Sequence, residues 1–189
     1  MKGVLRVIGW VLMLGLVVVW LAVAQTASNT GFAKDYLAEL ARAESQLSEL
    51  GEAIPEEAYS FRPTPEIWPL AQQYLHIAST NYGYLRRYAG VTPPVDPATL
   101  TVENYATRAA VLAALKQSFE FMRTNVEKLS EADFARQVGP PATPVSLRAA
   151  YLRVLSHAYH HLGQIIIYAR LKGVVPPWTA RQQQRPPSS

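Results

Sequence analysis

Four stretches of the chain repeat their apolar residues at intervals of three and four, the spacing that lines one face of an α-helix. The first runs from about Gly31 to Leu50 on Ala33, Leu37, Leu40, Ala43, Leu47 and Leu50, with Gly51 placed to end it. The second is predicted to start at Thr64-Pro65, a threonine cap followed by proline in the first turn, and to reach Ala89, where Gly90 and Pro93-Pro94 stop it. Its stripe is Trp68, Ala71, Leu75, Ala78, Tyr82 and Leu85. The third spans Val102 to Leu129 on Val102, Tyr105, Ala109, Leu112, Phe119, Met122, Val126 and Leu129, the longest stripe in the chain. The fourth opens at Thr143-Pro144 and runs to Lys172, before Gly173 and Pro176-Pro177, and buries Leu147, Ala150, Val154, Ala158, Ile165 and Tyr168. No stretch alternates convincingly as a strand. Four amphipathic helices joined by proline-broken connections predict an all-α fold, a four-helix bundle over residues 31–178. The connections, of roughly twelve to sixteen residues, are longer than tight antiparallel turns need, so crossover topologies stay open.

The chain ahead of the bundle has a different pattern. Lys2 and Arg6 precede an uninterrupted apolar run from Val7 to Ala24. A basic start, an apolar run and the small residues Ala22 and Ala24 before Gln25 predict an export signal over residues 1–24. A run of this length is also close to the minimum for a membrane span, so an anchor formed by residues 7–24 is the alternative. Either reading puts the bundle outside the cytoplasm, periplasmic or secreted, with the membrane as a partner only if the segment is uncleaved. Beyond the bundle, residues 179–189 have no periodicity and are expected to be disordered. Removing Lys2 and Arg6 leaves 16 basic against 14 acidic residues, which gives no footprint for nucleic acid. Exposed parts of the apolar stripes could pair two bundles as a homodimer. The chain has no cysteine, so the domain is held by its core alone, and any metal must be held by nitrogen and oxygen ligands.

The candidate chemistry lies in the histidines. There are four, and three of them fall in His157-Ala158-Tyr159-His160-His161. His157 and His161 are one helical turn apart, so their rings leave the same face and can share a divalent ion. His76, on the second helix, is the one remaining histidine that could complete the set. Three protein ligands leave a position for water or substrate, the arrangement of catalytic rather than closed structural sites. His76 lies at the edge of its stripe on a flank with Gln72, Ser79 and Gly83, small or polar neighbours that suit a cavity or close helix packing equally. His160 points away from the buried sector, beside Arg153 and Gln164. His160, Gln164 and Gln72 are the candidates for supporting the ligating rings from behind.

Two segments, QQYLHIASTNYGYL on the second helix and LSHAYHHLGQIIIYARLKGVVPPW on the fourth, resemble the DinB-like family, as does YSFRPTPE just before the second helix. The similarity extends from Phe32 to about Trp178. It implies a four-helix bundle with up-up-down-down connectivity and a divalent metal held by three histidines, which by position are His76, His157 and His161. Where many relatives carry arginine or tyrosine before the glycine, this chain has Leu162, which removes a polar group near the site. Some relatives are metal-dependent transferases or isomerases that use low-molecular-weight thiols; those thiols are cytoplasmic and suit an exported protein badly.

Two functions follow. In one, the protein is a metal-dependent hydrolase or transferase of an unidentified small molecule, in which a water on the ion, its pKa lowered toward neutrality, is nucleophile or base. In the other it is a non-catalytic metal-binding or interaction module of the cell envelope, since no Asp, Glu or Tyr can be assigned as general acid or base. Three neutral imidazoles suit zinc, nickel or iron, as well as copper.

Overall fold

The computed structural model describes residues 31–184. The signal or anchor expected over residues 1–24 lies outside them. The architecture is a four-helix bundle built from α1 (Phe32–Ala53), α2 (Leu70–Tyr84), α3 (Arg108–Val126) and α5 (Leu147–Leu171). A short helix α4 (Glu131–Ala135) and a two-residue antiparallel pair, β1 (Gln137–Val138) with β2 (Val145–Ser146), connect α3 to α5, and α6 (Pro177–Gln183) follows. Each long helix buries one stripe. In α1 it is Ala33, Tyr36, Leu40, Ala43, Leu47 and Leu50, and these meet Tyr74, Phe119, Tyr151 and Ile165 from the other three helices in one core.

The connectivity differs from the up-up-down-down order that the family resemblance implies. Tyr36 stacks edge-on to Tyr151 near the starts of α1 and α5, Tyr159 donates to Glu39, and Glu49 pairs with Arg181 beyond the end of α5, so α1 and α5 are parallel. Glu44 pairs with Arg123, and Arg108 donates to the Ile54 carbonyl, so α1 and α3 are antiparallel. Asn81 bonds Ser118 and Tyr82 packs on Phe121, while Tyr74 and Leu112, nearer the helix starts, both close on Gly51; α2 and α3 therefore run together. The order is up-down-down-up. The physical reason lies in the connections. Residues 54–69 return the chain at one end of the bundle and residues 127–146 at the other, and only residues 85–107 have to travel its length.

Three helix starts come later than the sequence pattern suggests, two of them against a Thr-Pro start signal. Pro69 would lack its N–H and clash with the preceding turn inside a helix begun at Thr64. The chain instead makes a turn, Ile67 N–H to Thr64 O at 3.1 Å, and α2 starts after Pro69. Trp68 thus leaves the predicted stripe and stands 44% exposed. In α3, Thr107 caps the helix by accepting from Ala110 N–H, and residues 101–105 form the turn before it. The buried stripe becomes Val111, Ala114, Leu115, Ser118, Phe119, Met122 and Val126, leaving Ala109 exposed. In α5 the cap is Ser146 rather than Thr143, because residues 145–146 are drawn into the strand pair.

Two glycines act as predicted and one does not. Gly90 and Gly173 take left-handed φ of 70° and 74° at helix ends, where a side chain would be strained. Gly51 lies inside α1. A Cβ there would stand 2.6 Å from Leu112 and about 3 Å from the Tyr59 and Tyr74 hydroxyls, so the absent side chain admits three neighbours. The tail expected to be disordered from Thr179 is helical to Gln183. Pro177 presets the first turn and Arg181 pairs with Glu49 of α1, so a short polar segment gains order from its neighbour.

Candidate metal centre

The antiparallel packing of α2 on α5 brings His76 to His157 and His161. The rings stand with centroids 4.9, 4.9 and 4.5 Å apart, and one nitrogen from each lies within 4.8 Å of the others. His76 Nε2 and His157 Nε2 are 3.1 Å apart. Three nitrogens each about 2.0–2.1 Å from one tetrahedral ion would stand about 3.4 Å from each other. The 3.1 Å separation of His76 and His157 is close to that value, and His161 lies within 4.8 Å of both.

His161 is fixed from behind. Its Nδ1–H donates to Gln73 Oε1 at 2.6 Å, Gln73 Nε2 donates to the Tyr168 hydroxyl at 3.3 Å, and that hydroxyl donates to the Trp68 carbonyl. The chain runs one way, from ring to carbonyl, because the last acceptor has no proton to give. It therefore sets the His161 tautomer and leaves Nε2 with its lone pair free, as ligation requires. Trp68, displaced from its predicted helix, packs edge-on against His76 with centroids 5.0 Å apart. His157 Nδ1 is buried without a hydrogen-bond partner among the described residues.

Burial, helped by the neighbouring His76 and His160 rings, lowers the His157 pKa to about 4. Burial together with His157, His76 and His160 lowers that of His161 to about 4, and burial alone lowers that of His76. All three rings are thus neutral near pH 7, the form that binds a metal. Three convergent neutral imidazoles, one of them locked in the right tautomer, fit a divalent ion of the zinc, nickel or iron kind.

Of the residues expected to support the rings, none makes a hydrogen bond to them. His160 and Gln164 are exposed, and Gln72 is half-buried. The contact comes from Gln73, three residues before His76 where Gln72 is four before; both spacings lie on the same side of a helix, and only packing against α5 separates them. Tyr168, two turns after His161, was also legible as a neighbour of that face. Leu162 is in the core, so its side chain adds no polar group to the site. Ser79 returns its hydroxyl to the His76 carbonyl, and the space around Gly83 is open.

Fold and site together define the class: a four-helix bundle with three histidines gathered from two of its helices into a candidate metal site. Within that class the family is defined: the DinB superfamily profile matches residues 39–165, and the chain belongs to that superfamily. Among solved structures it is similar to the DinB-like protein YjoA of Bacillus subtilis, at 21% identity over 75% of this chain and 93% of that one, with a TM-score of 0.60. It is also similar to YfiT of the same organism, described as a probable metal-dependent hydrolase with an unusual four-helix bundle topology, at 18% identity over 76% and 89% of the chains, TM-score 0.60. A DinB-like protein of Bacillus cereus aligns at 16% identity over 76% and 95%, TM-score 0.53. No curated protein sequence matches the chain.

Proposed function

We propose that the protein is an extracytoplasmic metal-dependent hydrolase or transferase whose single divalent ion is held by His76, His157 and His161. The convergence of the three ring nitrogens, with His161 oriented through Gln73, is the observation that carries this reading. When bound, the ion supplies Lewis acidity and lowers the pKa of a coordinated water toward neutrality. The residues of the chain hold and aim it: Gln73 and Tyr168 fix the His161 tautomer, and Trp68 shields one edge of His76. The apolar run from Val7 to Ala24 supports export, by cleaved signal or retained anchor. The description of YfiT as a probable metal-dependent hydrolase supports the reaction class by likeness alone.

Elemental analysis of protein purified without added metal tests the site. We expect about one equivalent of zinc, nickel or iron, lost in His157→Ala. Protein that carries no ion and takes up none on dialysis would remove the site from consideration.

A second reading, a non-catalytic metal-binding module of the cell envelope, is favoured by one observation: α2 and α5, which carry the histidines, contain no carboxylate that could serve as general acid or base. Turnover of any ester, amide or thiol-transfer substrate that disappears in His157→Ala decides for the enzyme.

A further inference from the structure

The charge on the two metal-bearing helices is of one sign. α2 with its continuation through Ala89, and α5 through Lys172, carry Arg86, Arg87, Arg148, Arg153, Arg170 and Lys172 and no Asp or Glu. All 14 acidic residues of the chain lie elsewhere, accompanied in the described residues by nine cations. The asymmetry is not a lack of solvent-facing positions, because the six cations occupy such positions. Nor is it general to the bundle, since α1 is equally solvent-facing on its outer side and carries Asp35, Glu39, Glu44, Glu49 and Glu52 against Lys34 and Arg42.

Some of these cations are already engaged. Arg148 pairs with Glu131, and Lys172 lies over the Phe61 ring with its nitrogen 3.7 Å from the centroid. Arg153 is different. It is exposed, makes no ion pair among the described residues, and stands one turn before His157 on the same side of α5. On α2 the space around Gly83, seven residues after His76, is open. A molecule contacting the three-histidine site from solvent therefore meets an unpaired guanidinium one helical turn from His157 and no repelling carboxylate on either helix.

Resting on the metal reading, we infer that this site selects small molecules carrying a carboxylate or phosphate group besides the one presented to the ion, and that Arg153 determines this preference. A guanidinium accepts such a group in a forked geometry that a point charge does not reproduce. The attraction of that guanidinium for an anion weakens as salt is added.

The test uses zinc-loaded protein and two ligands with the same metal-binding head, acetohydroxamic acid and succinic acid monohydroxamate, titrated calorimetrically. The succinate compound should bind roughly fivefold more tightly, which corresponds to about 1 kcal/mol for one partly exposed ion pair. Arg153→Gln should erase the difference while leaving acetohydroxamate affinity unchanged, and raised salt should shrink it in the wild type. Equal affinities in the wild type, or a preference that survives in Arg153→Gln, overturn the inference and leave the metal site standing. If the protein takes up no zinc, the metal reading falls and the inference with it; if it takes up zinc and binds neither hydroxamate, the inference alone falls.

Discussion

At the scale of single residues, the chemistry depends on how one imidazole is held. Gln73 joins His161 to Tyr168 and the Trp68 carbonyl, and a partner of this kind contributes orientation rather than ligation. Gln73→Leu should keep the helix and the core but let the ring rotate, lowering metal affinity by about 10- to 100-fold in competition with a chromophoric chelator. Unchanged affinity would mean that the hydrogen-bond chain is incidental. The lowered pKa values of His157 and His161 carry a stability consequence in the metal-free protein. The folded rings resist protonation down to about pH 4. Unfolded ones take a proton near pH 6.5. Between those limits the unfolded state binds more protons, so stability must fall as pH drops from about 6.5 to about 4. Urea midpoints of chelator-treated protein across that range check the direction, and His157→Asn should flatten the slope. The histidine set was readable from the sequence because an i, i+4 pair and one distant histidine leave few combinations. Gln73 was not, since positions three and four before His76 are equivalent until α5 is packed against them.

At the scale of elements, apolar spacing located every long helix, and capping chemistry located their ends less well. The Thr-Pro pairs at 64–65 and 143–144 are sound start signals taken alone. Pro69 overrides the first and the β1–β2 pair overrides the second, and a two-residue strand is too short to show alternation. The capping box of α4 was present in the sequence as Ser130 with Asp133 three residues on. It has a structural role: Glu131 accepts from Phe32 N–H at 2.8 Å and from Arg148, so α4 ties the start of α1 to the start of α5. The revised start of α5 is testable. Ser146 accepts from Ala149 N–H at 3.2 Å, so Ser146→Ala should cost about 1 kcal/mol of unfolding free energy. Thr143→Ala, four residues into a turn, should cost close to nothing, and chemical denaturation of the two variants separates a cap at 146 from one at 143. Metal affinity should hardly change in either, because the histidines begin three turns further along α5.

At the scale of the whole molecule, the up-down-down-up order decides what a bound ion does to the fold. Consecutive helices α1 and α2, and likewise α3 and α5, face across the bundle rather than side by side. The two helices that carry the ligands are therefore brought together by a connection that runs through α3 and α4, and His76 is separated in sequence from His157 by 81 residues. Any opening of the α2–α5 seam pulls the ligands apart, and a tight ion resists that opening. No comparable set of three convergent ligands survives in an unfolded chain, where only the His157–His161 pair remains close, so the ion binds the folded state far better. Zinc at about a thousand times its dissociation constant should then raise the unfolding free energy by about 4 kcal/mol. The increment should be absent in His76→Ala as well as in His157→Ala, although the former leaves the local pair on α5 intact. A gain retained in His76→Ala would show that the pair binds zinc alone and that α2 is not part of the site; its loss in both variants would mean that one ion clamps two helices that the chain itself joins only through a crossover.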